Sequence, residues 1–350
     1  MTRPSDRHAL PAGRSNDDDP RGDPLTPREI DRAALDRAAL DPQLTSTRSM
    51  SRFAGEALRC LYQHRLLSSG QLQRLLAPQV PRESSYLRGQ LRLLLRAGLA
   101  GVVTAPTPAR EYLWFATEAG ADLVESSGEL VTRGYRMDAI KADGSLQKHM
   151  LAVAETGLAF VTHARLLGHD CGPLDWVPEV AHRTRDGMHR RFDDDHLVAD
   201  AVLHYVADAG GARTQYSVFI EVDRATMTVA RLAGKLVQYA RYLQYVPAGD
   251  AGRTGGSTGG REAWRYRYPR FPRLLIVLTG AGDEQLQRRA ADLRAYAAAL
   301  PQLLALHEEV VGVTTLDRLK DDGPFGPIVI PILGEDSSPS ALFGSARRAA

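Results

Sequence analysis

From Ser51 onward, apolar positions recur at three- and four-residue spacings: Phe53, Ala57, Leu58, Leu61 and Leu66. That is the spacing of a helix that buries one face. "LLSSGQLQRLL" then offers a helix start at Ser68 or Ser69, and residues 71–76 form a short second helix stopped by Pro78. "PRESSYLRGQLRLLLRAGLA" supplies a third, with Leu87, Leu91, Leu94 and Leu95 inward and Gly98 at its end. Residues 101–115 predict two short strands around a proline-containing turn, and "TEAGADLVES" a further helix capped by Thr117. Three short helices followed by a β-hairpin is the order of a winged helix-turn-helix.

Residues 126–145 are polar and without period, which predicts a linker. A second pattern follows. Residues 146–168 predict a long helix with Glu155 in its middle, and "WVPEVAHR", "DHLVADAVLHYV" and "QYSVFIEVD" predict three strands separated by turns. A helix over 226–245, a Gly/Ser-rich loop over 248–260, the continuous apolar strand "RLLIVLTG", a helix over 283–299 and the short strand "VVGVTTL" complete the order. An unbroken apolar run of that kind marks a buried parallel strand. The expected organisation is mixed α/β: an arm over 1–48, a winged helix-turn-helix domain over 50–125, the linker, an α-β-β-β-α-β domain over 146–320, and an irregular tail over 321–350.

Composition changes this picture little. The chain has 350 residues, 43% hydrophobic and 25% charged, ordinary for a globular protein. Residues 1–48, rich in Asp, Arg, Pro and Gly, have too little apolar content to offset the entropy of ordering, so a disordered arm is expected there. No uncharged run approaches the roughly 20 residues of a bilayer span and no signal-peptide core is visible, so the expectation is a cytoplasmic protein with no membrane partner. The two cysteines, Cys60 and Cys171, suggest neither a disulfide framework nor a zinc site. A net charge of +2 says less than its distribution: residues 51–120 carry nine Arg against four Glu and no Asp. That local excess points to an anionic partner.

On the third predicted helix Arg88, Arg92 and Arg96 recur every fourth residue and line one face, with Arg82, Ser84, Ser85 and Tyr86 near its beginning. A helix laid in the major groove uses its first half for base edges and its arginines for phosphates and guanines. Double-stranded DNA is the expected partner, and an amphipathic solvated face is the alternative. A two-fold homodimer would match the half-site reading usual for such domains.

The third strand of the second domain ends in "EVD". Side chains two apart in a strand share a face, so Glu221 and Asp223 point the same way, and Asp200 joins them if its strand lies alongside. Such a group of hard oxygens suits Mg²⁺ or Mn²⁺ and phosphodiester hydrolysis. Lys235, Gln238, Tyr239 and Tyr242 share one face of the next helix, opposite Leu232, Leu236 and Leu243, from which the ammonium can reach a scissile phosphate. A solvated strand end with a snorkelling lysine is the competing reading. "RFDDDH" (191–196) is either a metal loop or a charged turn, and "HRTRDGMHRR" (182–191) either a phosphate-contacting hairpin or a solvated turn.

The order helix, three strands, helix, strand, with Asp200 on the second strand and "EVD" on the third, resembles the PD-(D/E)xK nuclease superfamily. "AD" replaces its proline-aspartate, and Asp223 stands where its motif has lysine. "KLVQYARY" resembles members in which the lysine has moved to the following helix, which implies catalytic roles for Asp200, Glu221, Asp223, Lys235 and Gln238. Glu155 resembles an auxiliary metal-binding acid. Taken whole, with "HMLAVAETGLAF", "ADAVL", "FIEVDRAT" and "KLVQYARYL", the chain from about 50 to 320 resembles the replication-relaxation family of bacterial plasmids and mobile elements. The resemblance implies DNA handling, with replication or mobilisation proteins as further partners. It leaves two readings open: a Mg²⁺-dependent endonuclease, or a non-catalytic DNA-binding initiator or regulator on a degenerate nuclease fold.

Overall fold

The structure, a computed structural model, describes residues 50–79, 85–105, 111–187, 192–209, 211–248, 260–307 and 309–343. The expected arm, Arg82, Ser84, most of the 248–260 loop and part of the 182–191 segment lie outside them. The chain is mixed α/β, with two sheets.

The first unit comprises α1 (Arg52–His64), β1 (Leu67–Ser68), α2 (Ser69–Leu76), α3 (Ser85–Arg96), β2 (Ala100–Thr104), β3 (Tyr112–Ala116) and α4 (Glu118–Ser126). Its strands form an antiparallel sheet in the order β1-β3-β2. Local chemistry explains the boundaries. Ser68 accepts from the Gln71 N–H while the Gln71 side chain returns to the Ser68 N–H, a reciprocal cap that starts α2. Gly98 at φ 70 ends α3: Gly98 N–H bonds to Leu95 O and Leu99 N–H to Leu94 O. This is the paired closure that left-handed glycine allows.

Next come α5 (Ala139–Ala142), α6 (Gln147–Leu167), β4 (Trp176–Arg183), α7 (Phe192–Asp195), β5 (His196–Ala209), β6 (Ala212–Asp223) and α8 (Val229–Gln244). They are followed by β7 (Arg273–Leu278), α9 (Asp283–Ala298), β8 (Val311–Thr315), α10 (Leu316–Asp322) and β9 (Ile330–Pro331). The second sheet has the order β4-β5-β6-β7-β8-β9. β4, β5 and β6 run antiparallel, β7 and β8 join β6 in parallel, and β9 returns antiparallel.

Alternation along β6 sorts the two layers. Val218, Ile220 and Val222 face α6 and a core that continues into α1 and α3. Phe219 faces the opposite layer, where Leu232 and Leu236 of α8 and Leu293 of α9 pack with Leu274 and Ile276 of β7. The first core therefore runs unbroken between the two units. At their junction the His64 ring stacks 3.7 Å from Trp176, and Gly157 of α6 lies so near that a β-carbon there would fall 2.3 Å from the indole. α6 is long and apolar enough to cross a membrane by length and composition, yet 56% of its apolar window is buried within the protein. It is the central core helix.

Candidate functional site

The residues that carry chemistry gather where β5 and β6 part. Pairing between these strands runs from Ala209 opposite Ala212 to Ala201 opposite Ile220 and stops, while β6 stays paired with β7 as far as Asp223. Asp200, the first residue past the ladder, fills the gap with its side chain: Oδ2 accepts from the Val222 N–H at 2.8 Å. Glu221 lies next to it in space and is 1% exposed. Lys235, from α8, donates to both, reaching Asp200 Oδ1 at 3.4 Å and Glu221 Oε2 more closely. One ammonium thus bridges two carboxylates. The buried Tyr239 hydroxyl, one turn further on, donates to Glu221 Oε1 at 2.6 Å. His149, in the first turns of α6, places Nε2 3.5 Å from Asp200 Oδ2.

The electrostatics follow from burial and charge. Burial pushes the Glu221 carboxyl up to about 8, with the Asp200 charge adding to the rise and Lys235 and Tyr239 opposing it. For Asp200, burial also pushes upward but is outweighed by the His149 contact, the Lys235 charge and the Val222 N–H, and the net direction is down. Burial lowers the Lys235 pKa, and the two carboxylates more than reverse that. Lys235 therefore stays an ammonium at any physiological pH, an electrostatic and hydrogen-bonding group that takes up no proton. Asp200 is its charged partner and Glu221 a carboxyl that titrates near neutrality.

Not every expected residue comes to this point. Asp223 does share a face with Glu221, but its Oδ2 is taken by the Arg289 guanidinium of α9, which also donates to Met227 O at 2.5 Å. Asp223 belongs to a structural ion pair, and its Oδ1 is buried without a partner among the described residues. Glu155 faces the first unit: it receives two hydrogen bonds from Arg74, at 2.8 and 2.7 Å, one from Gln71, and a contact at 3.1 Å from Lys320. Its position fastens α6 to α2 and α10. The expected set of three or more acids is thereby corrected to two, and among the described residues no three His, Cys, Asp or Glu side chains form a metal-holding group. Gln238 is half-buried on α8. The expectation that Tyr239 and Tyr242 lie opposite Leu232 and Leu236 is also corrected: all four are buried in one core, and at 100° per residue Tyr239 falls only about 20° from Leu232. In the 191–196 segment, α7 leads directly into β5, and Asp195 O accepts from Thr184 N–H at 2.7 Å.

A family model described as replication-relaxation matches residues 58–255. The chain belongs to that family. The match covers more than half of the 350 residues, and membership suggests a part in the replication or relaxation of a plasmid or mobile element. No curated protein and no solved structure matches it. The span that marks this replication-relaxation protein begins within α1 and ends beyond α8, so it contains α3 and the whole Asp200, Glu221 and Lys235 cluster, and stops short of β7.

His149 was not singled out by sequence reasoning. A titratable side chain at the start of the helix preceding the strands was its only signal. Arg289 had a clearer one: it flanks the inward stripe of Leu286, Ala290 and Leu293, where an arginine requires a buried carboxylate.

On the first unit, Ser85, Arg88, Arg92 and Arg96 are exposed along α3 while Leu87, Leu91 and Leu94 are buried. No carboxylate among the described residues pairs with these three arginines.

Proposed function

We propose that this replication-relaxation protein is a cytoplasmic DNA-binding protein whose first unit works as a winged helix-turn-helix and whose second carries a nuclease-like phosphodiester-hydrolysing centre. The observation that carries this reading is the Lys235 ammonium held between Asp200 and Glu221. Two hard carboxylate oxygens already converge on one cationic point, a donor set that suits Mg²⁺ or Mn²⁺ with waters completing the shell. Asp200 and Glu221 would hold the ion, which when bound neutralises developing phosphate charge and lowers the pKa of an attacking water. The chain's own groups do the rest. Val222 N–H and His149 fix the Asp200 carboxylate, the Tyr239 hydroxyl orients Glu221, and Lys235 presents a permanent positive charge for a phosphate oxygen. The exposed arginines of α3 bind duplex backbone, with each phosphate contact releasing counterions.

The test is incubation of supercoiled plasmid with the protein and Mg²⁺ or Mn²⁺, beside Asp200→Ala. Nicking by the parent and its loss in the variant support the centre. Absence of nicking with either ion, or equal nicking by the variant, removes the hydrolytic part. One observation favours a second reading in that event: the Lys235 ammonium already occupies the point on which Asp200 and Glu221 converge, which is what a DNA-binding platform without a metal requires. That platform retains duplex DNA in a salt-dependent manner and is indifferent to Asp200→Ala.

A further inference from the structure

Helix α3 presents two unlike flanks to solvent. At 100° per residue, Arg88, Arg92 and Arg96 run along one flank, while Tyr86 and Leu93, seven residues apart, form the other. Tyr86 is 54% and Leu93 44% exposed, an unusual cost for an isolated surface helix. Tyr86 is held in place from below, its ring 5.3 Å from that of Phe53. Gln90, beside it, accepts a hydrogen bond from the Ser51 hydroxyl through Oε1 at 2.5 Å.

Between the flanks lies Gly89, in the helix interior. Glycine is the poorest helix former after proline, and the fold gives no reason for it here: a β-carbon built at Gly89 meets nothing within 4 Å. At Gly120 and Gly157, by contrast, a β-carbon would strike Leu99 O or the Trp176 ring, so those glycines serve packing. Gly89 instead leaves a bare strip down the middle of an exposed face, and a bare strip admits close approach by a partner. A helix with its side chains, about 10–12 Å across, only just enters a major groove about 12 Å wide.

Resting on the DNA-binding reading above, we propose that this face reads thymine in duplex DNA. Tyr86 and Leu93 pack on thymine C5-methyl groups in the major groove, Gly89 lets the helix backbone lie against the groove floor, and the arginine flank holds the phosphates of one strand. The occupant follows from complementarity: guanidinium groups that pair with no carboxylate among the described residues match a polyanion, and thymine methyls are the apolar feature that the groove offers.

The experiment selects preferred duplexes from a random pool with the full chain, then measures affinity at fixed salt for each duplex and for its copy with uracil in place of thymine, which lacks only the methyl. The parent protein is expected to bind the uracil copy about fivefold or more weakly. Leu93→Ala should weaken binding to the thymine duplex and lose the difference between the copies, as should Tyr86→Ser. Arg92→Ala should weaken both copies alike and flatten the salt dependence. Gly89→Ala should raise the melting temperature, which shows that it folds, and weaken binding by about tenfold. If no duplex is retained even at low salt, the DNA-binding reading itself falls. If duplex is retained but thymine and uracil copies bind equally, or Leu93→Ala and Tyr86→Ser preserve the difference, thymine readout is overturned while DNA binding stands. Wild-type affinity in Gly89→Ala overturns the close approach.

Discussion

Replacing Glu221 by glutamine isolates the cost of burying that carboxyl. Glutamine keeps the shape and one acceptor oxygen, for Lys235, while its NH2 meets the Tyr239 hydroxyl, which can turn to accept; it cannot ionise. In the folded protein burial raises the Glu221 pKa from the ordinary 4.5 to about 8. Below pH 4.5 the group is protonated in folded and unfolded chains alike and contributes no difference. Between 4.5 and 8 the folded chain keeps a proton that the unfolded chain has released, so stability falls as pH rises. At about 1.4 kcal/mol per pH unit, the loss reaches about 3 kcal/mol at pH 7 and about 5 kcal/mol at pH 8, where it levels off. Glu221→Gln is free of it. Guanidinium unfolding followed by far-ultraviolet circular dichroism at pH 5, 6, 7, 8 and 9 should therefore show the variant gaining on the parent at each step up to pH 8, with a constant difference above. A difference that is flat across the range, or that shrinks with rising pH, would refute a raised Glu221 pKa and with it the division of charge within the cluster.

Glu155 should behave in the opposite sense. Burial would raise its pKa, but Arg74, Gln71 and Lys320 overcome that and hold it at about 2, so Glu155→Gln should cost about 2 kcal/mol at pH 7 after allowance for the half-exposed Arg74. That cost should fade as pH drops from 4.5 towards 2, measured by the same unfolding series. Gly157→Ala drives a methyl into the Trp176 ring and should destabilise by about 1–3 kcal/mol, read by calorimetry together with a shift in tryptophan emission. Gly234→Ala, on α8 beside Lys235, meets nothing within 4 Å and should stabilise by about 0.5–1 kcal/mol; a lower melting temperature would contradict the open space at that position.

What the sequence made legible is what depends on neighbours along the chain. The caps at Ser68 and Thr117, the stop at Gly98 and the apolar run of β7 all act within a few residues, and the helices and strands appear where these signals place them. Asp200, Glu221 and Lys235 were legible too, because the two-residue period of a strand and the reach of the following helix constrain them. Partners far away in sequence were not. Asp223 is claimed by Arg289, 66 residues on, and Glu155 by Arg74, 81 residues back, and no local pattern reveals which of several carboxylates an arginine will find. For Tyr239 and Tyr242 the reason is partly local, since at 100° per residue Tyr239 falls only about 20° from Leu232, and partly remote. α8 is covered by β-strands on one side and by Trp264, Tyr268 and Phe271 on another, a second contact that comes from a segment beyond the 248–260 loop.

The end of β6 gathers several concessions of stability in one small region. Glu221 is a buried carboxyl whose ionisation is opposed. Ala225, just beyond the strand, has φ 57, a conformation that costs a non-glycine residue about 1 kcal/mol or more. Gly234 occupies a helix interior in which alanine would fit. A sheet end that served packing alone is commonly more stable with apolar side chains than with a buried ion pair, by about 1–4 kcal/mol. The Arg289 to Asp223 pair shows that the same strand end can hold a carboxylate by a simple structural contact, with one oxygen left without a partner among the described residues. The bridged Asp200 and Glu221 pair is different in kind: it lies where β5 withdraws from β6, at the carboxyl end of the strand that changes the sheet from antiparallel to parallel pairing. In open α/β sheets, crevices outside the carboxyl ends of strands are where ligands bind, so concessions concentrated there favour a working site over a solvated strand end.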